Sequence, residues 1–577
     1  MPVATTHCVA LDGARGHLID VQADVSPGQA TVTVVGRADV ALREGVDRVR
    51  MAIVNSGLRW PATKRTTILL SPADLQKTGT QFDLAMAVSV LAADGQVEER
   101  ELDRTAFIGE LTLAGGLRPA VGVLPMSLAA QERGVRRVFV PEPQADEAAM
   151  VSDLDVIGIR SLSQVVASLL GEPPPEAPPV AETSGAHLLS WRGDERRDDL
   201  DLADLRGMED EKYAAEVAAA GGHALLLSGA KGCGKTSLAE RMPTLLPDLT
   251  REESLELTAL HSLAGVLDPG AGMVLRPPFV APHHDASKAS VVGGGTGRVQ
   301  PGALSRAHCG VLFLDEFPLF RADVIEALRQ PLESRDITIA RRDELVTLPA
   351  GGMLVLASNP CPCGAWTAFA GTNRCGCAER VRRAYQGRLT GPVADRIDIL
   401  RNVQPASLAS HDPFRPPEPS AVVRDRVAAV RDRQARRYAD RPWRLNAHVP
   451  GPRLEDTWPL TRSAQRLIAD EARRGRLSAR GVVRVQRLAW TVADLRSVRD
   501  GRDHEPGLAD AETALRLRAG LPLDLAVLRG TRGGERRAAA GSGADLAARP
   551  DLGARPQSAA DAPHAAAPPH RDGQGVA

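Results

Sequence analysis

Apolar residues in this chain fall into two patterns, and the two predict different architectures. In the middle of the chain they form short unbroken runs: Ala224–Ser228, Val311–Leu314 (leading into Asp315 and Glu316) and Met353–Ser358. Runs of this length read as buried strands, and after a glycine-rich turn Thr236–Arg241 continues the first of them as a helix. From about 420 to 525 the pattern changes to Arg and Ala at helical spacing, as in Val422–Tyr438 and Ser463–Leu495. Before residue 170 both patterns occur: Ala30–Gly36 and Arg137–Pro141 read as strands, and Phe82–Ala93 as a buried helix. Gly171–Pro179 is proline-rich and reads as a stiff solvated linker, while the chain past about 528 has no periodicity. The expected organisation is α/β: an N-terminal α+β domain over 1–170, a linker over 171–196, a strand-rich core over 197–405, a helical domain over 406–527 and a disordered tail over 528–577.

A chain of 577 residues is too long for one core, in keeping with about three or four domains. Hydrophobic content of 43% and charged content of 25% are ordinary, but with 3% aromatics the cores must be built from Ala, Val and Leu. The net charge of −1 exerts no global pull on nucleic acid, so any DNA contact must come from local arginine clusters. No stretch approaches the roughly 18 apolar residues of a membrane span. Met1–Cys8 lacks a charged start followed by an apolar core, which argues against secretion. Seven cysteines, four of them crowded between 361 and 377, do not resemble an extracellular disulfide framework. The expectation is a cytoplasmic protein with no membrane partner.

The turn after the first buried run carries the chemistry. It reads Gly229-Ala230-Lys231-Gly232-Cys233-Gly234-Lys235-Thr236, followed by Ser237, a complete G-x-x-x-x-G-K-[ST] phosphate loop. Glycines let backbone amides close around a phosphate chain, Lys235 neutralises its outer charge, and the Thr236 hydroxyl reaches Mg²⁺. Asp315 can hold the same metal through its shell, and Glu316 is placed to polarise a water. Strand, loop and helix occur in the order that an NTPase using ATP and Mg²⁺ requires.

Further motifs surround this pair. Pro282–Ser287 reads Pro-His-His-Asp-Ala-Ser, and Val292–Gly295 and Pro301–His308 then run into Gly310–Glu316; Ala357–Gly364 and Asp395–Asp398 follow. Together they resemble the magnesium-chelatase-like AAA+ proteins of the ComM/YifB family over residues 1 to about 525. The resemblance implies an AAA+ P-loop core, a C-terminal helical lid and a homo-oligomeric ring, a hexamer, related to magnesium-chelatase ATPase subunits and minichromosome maintenance helicases. For ComM members it also implies a DNA helicase that promotes branch migration in natural transformation. Asn359, closing the Met353–Ser358 strand, resembles the sensor-1 residue that orients the attacking water, against the alternative of a plain strand cap. Arg396 resembles the arginine finger inserted into a neighbouring subunit's site, against an ion pair with Asp395 or Asp398. Arg480 resembles sensor 2 of the lid; Arg462, Arg466, Arg473, Arg474, Arg476, Arg484 and Arg487 lie near it, so a solvated helix face is its alternative.

Ile337–Leu348 reads as strand, polar turn, strand, where related helicases carry a pore-facing hairpin. Arg341 and Arg342 at its tip suit phosphates gripped without sequence preference, or an ordinary charged turn. Val292–Gly297 resembles the helix-2 insert of that clade. Cys361, Cys363, Cys375 and Cys377 form two C-x-C pairs whose count matches a tetrahedral structural Zn²⁺ site, though C-x-C is tighter than the usual C-x₂₋₄-C. Free thiols and reversible disulfides are the alternatives.

Leu70–Leu84 and Gly109–Pro119 resemble the Lon-type protease fold, whose chemistry needs a serine activated by a lysine. Those positions fall on Gln81 and Leu124, and the nearby Lys77 and Ser71 do not occupy them. A catalytically dead Lon-protease-like domain, kept for oligomerisation or DNA contact, is expected. The leading expectation for the whole chain is a ring ATPase that moves along or remodels DNA; the alternative is a chelatase-like or protein-remodelling ATPase. A protease is disfavoured by Gln81 and Leu124.

Overall fold

The structure is a computed structural model describing residues 3–13, 15–36, 39–75, 77–181, 199–267, 272–295, 299–341, 344–366, 373–389, 396–404 and 417–528. The expected disordered tail past 528, residues 182–196 of the expected linker, Gly297, Arg342, the Arg341 side chain and Asp395 lie outside the described residues.

The unbroken apolar runs become the middle of an all-parallel five-stranded sheet. Its order is Phe279–Val280, Val311–Leu314, Met353–Ser358, Leu225–Gly229, Ile399–Val403. Strands in such a sheet are apolar throughout because both faces are covered, yet the two-residue alternation persists in space. Leu225, Leu227, Val311, Phe313, Val355 and Ala357 enter one core, shared with the C-terminal helices. Leu226, Leu312, Leu314, Leu354 and Leu356 enter a second core on the opposite face. Val355 pairs with both Leu225 and Phe313, so the strands that end at Gly229, Ser358 and Leu314 finish along one edge, with Asn359 and Asp315 just past it. That carboxyl edge is where open parallel sheets keep their ligand crevice.

From Ser420 onward the described residues form α-helices joined by turns: Ser420–Arg437, Gly451–Asp456, Arg462–Arg473, Ala479–Asp500, Leu508–Ala519 and Leu525–Leu528. Val485, Leu488, Val492 and Leu495, at helical spacing, carry Ala479–Asp500 into the shared core. Ser478 caps that helix by accepting from the Gly481 amide, and Gly501 ends it in the left-handed conformation. Among the described residues no helix is long and apolar enough to cross a membrane.

The N-terminal region forms a mixed seven-stranded sheet in the order Val32–Val35, Arg65–Ser71, Arg15–Ser26, Val3–Asp12, Thr105–Phe107, Arg137–Pro141, Asp155–Ile159. The helix expected from Phe82 spans Asp83–Ala93 and is buried at every residue, wedged between this sheet and the Val40–Asn55 helix.

The expected hairpin is present: Asp336–Arg341 pairs antiparallel with Glu344–Pro349, Arg341 facing Glu344 in register. Val346, Leu348 and Ile339 at its base pack with Leu260, Leu263 and Val299, and with Leu11 of the N-terminal sheet. A Cβ on Gly13 would stand 2.2 Å from Val346 Cγ1, so the turn after Asp12 approaches the hairpin as only glycine allows. Ser262 also donates a hydrogen bond to Glu147, a second tie between the two regions.

Candidate functional site

Two short chains of hydrogen bonds join the ends of the central strands. Lys235 is buried; its Nζ donates to the Gly229 and Ala230 carbonyls at 2.8 Å each and to Asn359 Oδ1 at 3.1 Å. Asn359 Nδ2 reaches Glu316 Oε1 at 3.4 Å. Beside this chain, the exposed Thr236 hydroxyl donates to Asp315 Oδ2 at 3.2 Å, and the Glu316 amide donates to Asp315 Oδ1 at 2.8 Å. Glu316 itself has φ +50°, a left-handed backbone uncommon away from glycine. Within the loop, Gly232 and Gly234 turn at φ +79° and +93°. A Cβ on Gly229 would meet the Val403 carbonyl at 2.4 Å, so the loop lies hard against the edge strand.

This donor set fits ATP with Mg²⁺. The Lys235 bonds above go to neutral oxygens, which leaves its charge available to a phosphate. Thr236 and Asp315 supply hard oxygen ligands side by side for one small divalent cation. When bound, that cation would neutralise charge on the phosphate oxygens; Glu316 and Asn359 stand together beside the pair. Ala230, Lys231, Cys233 and Ser237 complete the loop, with Cys233 buried and Lys231 exposed.

The structure treats the two predicted arginines differently. Arg396 is buried, and its guanidinium meets Glu333 Oε1 at 2.6 Å, a carboxylate other than the expected Asp398 or Asp395, the latter outside the described residues. Arg480 is exposed in the first turn of Ala479–Asp500. Arg484, one turn on, ties this helix to the ATPase core by ion-pairing with Asp398. Asp398 also accepts from the Ala224 amide at 3.1 Å and lies 3.4 Å from His223 Nδ1. Burial alone would raise the Asp398 carboxyl, but Arg484, His223 and Arg487 outweigh it and hold it well below the usual carboxylate range.

Two neighbours of Glu316 have no spacing rule that would have found them. His284 Nδ1 lies 3.9 Å from Glu316 Oε2. Tyr385 sits close enough to Glu316 and Asp315 that burial, helped by their charge, pushes its hydroxyl up to about 12. The Pro-His-His-Asp run is visible as a motif, but its contact with Glu316 is made only by the fold.

Cys361, Cys363, Cys375 and Cys377 converge, their sulfurs all within 4.8 Å of one another. In the N-terminal domain Gln81 is buried and its Nε2 donates to the Thr78 carbonyl at 3.0 Å, while Leu124 is fully buried. Lys77 is fully buried with its ammonium on the Pro72 carbonyl. Asp83 is held by Arg48 Nε at 2.9 Å, and burial nonetheless pushes its carboxyl up to about 6.

Three family models match the chain: magnesium chelatase, subunit ChlI, over residues 201–411; subunit ChlI of Mg-chelatase over 21–144; and the subunit ChlI C-terminal part over 417–518. An uncharacterized protein of Mycobacterium tuberculosis is 42% identical over 521 residues, covering 90% of this chain and 99% of that protein. Competence protein ComM of Haemophilus influenzae is 36% identical over 513 residues, 89% of this chain and 97% of its own length. The protein YifB of Escherichia coli is 37% identical over 497 residues, 86% of this chain and 94% of its own. The first model takes in the whole parallel sheet and both hydrogen-bonded chains at its edge. With that geometry and relatives matched along nearly their full length, the chain belongs to the ComM/YifB family of magnesium-chelatase-domain AAA+ ATPases, which split ATP to ADP and phosphate.

Proposed function

We propose that this ATPase works as a ring, a hexamer, in which each ATP is cradled by one protomer and its hydrolysis completed by the neighbouring copy. Lys235 and the loop amides bind the phosphates, Thr236 and Asp315 hold Mg²⁺, Glu316 polarises the water and Asn359 orients it. Arg396 supplies the neighbour's cation after leaving Glu333, and Arg480, exposed at the lid, reaches the nucleotide as the lid closes. The observation that carries this reading is the Lys235–Asn359–Glu316 chain beside the Thr236–Asp315 pair. The motor then remodels a macromolecular client in the manner of the chelatase class. The three working units are taken as 1–170, 197–405 and 406–527. The first is a Lon-type domain without its dyad, supported by the burial of Gln81 and Leu124, and it serves assembly. The four-cysteine cluster takes a structural Zn²⁺.

A second reading, movement along DNA without sequence preference, is favoured by the arginine-tipped hairpin and by the competence role in the name of the Haemophilus influenzae relative. The deciding measurement is ATP turnover with no DNA, with single-stranded DNA and with forked DNA. An unchanged rate supports the remodelling motor, and strong stimulation supports DNA translocation. Under the DNA reading, Arg341→Ala with Arg342→Ala weakens binding and flattens its salt dependence. Unaltered binding in that variant rules the hairpin out as the grip.

A further inference from the structure

The residue that bridges Lys235 to Glu316 is tethered to a cluster of thiols. Asn359 is followed by Pro360 and then by the turn Cys361–Gly364, where Gly364 has φ +75°. A Cβ added to Gly364 would stand 3.3 Å from Lys231 Cβ and 3.8 Å from both the Lys231 amide nitrogen and Asn359 Cγ. The turn therefore rests directly on the phosphate loop. From the other side Gln386 Nε2 donates to the Pro360 carbonyl at 3.1 Å. The segment carrying Asn359 is thus held between the phosphate loop and the Glu379–Gly387 helix.

The far end of this turn is where the sulfurs meet. Cys361 Sγ lies 3.2 Å from Cys363 Sγ, and Cys375 Sγ lies 3.5 Å from each of them. All the cysteines are free, and these separations are far too long for disulfide bonds. A tetrahedron with Zn–S bonds of about 2.3 Å has edges of about 3.8 Å, so the sulfurs need to part by only a few tenths of an ångström. Thiols are weak hydrogen-bonding groups, and Cys363 is exposed, so neither hydrogen bonding nor an apolar core explains why four of them gather here. A bound cation does explain it, because it cross-links the segment from Cys361 to Cys377.

We propose that the four thiolates bind one Zn²⁺, releasing their four protons to solvent, and that this ion governs ATP turnover by keeping Asn359 in register with Lys235 and Glu316. The inference rests on the ATPase reading of those residues and adds a control to it. Metal held by Cys361, two residues on from Asn359, sets the position of the residue that orients the water.

The test uses the full chain purified under reducing conditions, with metal content measured by plasma emission and turnover by phosphate release. Wild type is expected to carry about one zinc per chain. The Cys363→Ser, Cys377→Ser double variant is expected to lose the metal and at least about tenfold in kcat, since misplacing such a group by about 1 Å costs on the order of 10²-fold. Should that variant fail to fold by circular dichroism, chelator-stripped wild type takes its place: turnover falls about as far and stoichiometric Zn²⁺ restores it. Lys235→Ala is expected to keep its zinc while losing turnover, which separates the two readings. Wild type purified with iron or without metal, or a stripped chain hydrolysing ATP at the full rate, overturns the inference and leaves the ATPase intact. A zinc-loaded wild type without any turnover overturns the ATPase reading instead.

Discussion

Two buried lysines in this chain make similar bonds in dissimilar surroundings. Lys235 and Lys77 both donate to main-chain carbonyls, those of Gly229 and Ala230 in one case and of Pro72 in the other. Around Lys235 the polar neighbours keep access: Thr236 is exposed, and Asp315 and Glu316 are half-buried. Around Lys77 they are committed to the fold. Gln81 is buried on the Thr78 carbonyl, Asp83 is buried against Arg48, and the Cys8 thiol, wholly enclosed, donates to the Gln81 carbonyl at 3.5 Å. Burial of a cation therefore does not mark a site. Accessible carboxylates and hydroxyls beside it do.

The largest effect that tests the contrast is at the phosphate loop. Lys235→Ala should lower ATP turnover by at least about a thousandfold, measured by phosphate release on a chain with unchanged circular dichroism. A variant that keeps its rate would remove Lys235 from the chemistry and erase the difference from Lys77.

Next in size is the subunit boundary. Glu316→Gln and Arg396→Ala chains should each be inactive alone, and mixing them should restore activity at interfaces that combine an intact Glu316 with an intact neighbouring Arg396. No recovery in any mixture would mean that Arg396 acts on its own protomer's site or stays with Glu333.

A smaller effect is expected where the lid meets the core. Arg484→Met takes one cation from the buried Asp398 carboxylate and leaves His223 beside it, so the chain should lose up to about 3–5 kcal/mol in denaturant unfolding. Asp398 has its pKa depressed in the folded state, so its stabilisation is present above the normal carboxylate pKa of about 4 and is lost as pH falls below it. Asp398→Asn should flatten that acid limb, and an acid limb unchanged by the substitution would remove this group as its source.

The smallest change in turnover should come from the other lysine. Lys77→Met should leave kcat within about twofold while lowering stability by about 1–3 kcal/mol. A folded Lys77→Met chain that had lost ATPase activity would show that the N-terminal cluster reaches the motor. The contact of Leu11 and Gly13 with the hairpin joins the two regions.

Much of the site was legible because its signals are local. The phosphate loop, the acidic pair after Leu314 and the asparagine after Ser358 each sit at the end of an unbroken apolar run, and such runs are readable over five or six residues. The lid shows the limit of this. Arg480 and Arg484 are one helical turn apart on the same face, so periodicity does not say which of them pairs with the core; the position of Asp398 gives that ion pair to Arg484. Likewise, Glu333 reaches Arg396 because a different element of the fold brings it close.

By itself the sequence determined which segments are strands, which turn binds phosphate and which residue types stand ready at the strand ends, since backbone sterics and side-chain periodicity act over a few residues. Strand order was decided only in three dimensions. Setting Met353–Ser358 between the phosphate-loop strand and the acidic strand is what lets Asn359 bond to Lys235 and Glu316 at once. The same is true of the Asp398–Arg484 pair and the N-terminal turn on the hairpin, because each depends on packing that joins residues far apart in the chain.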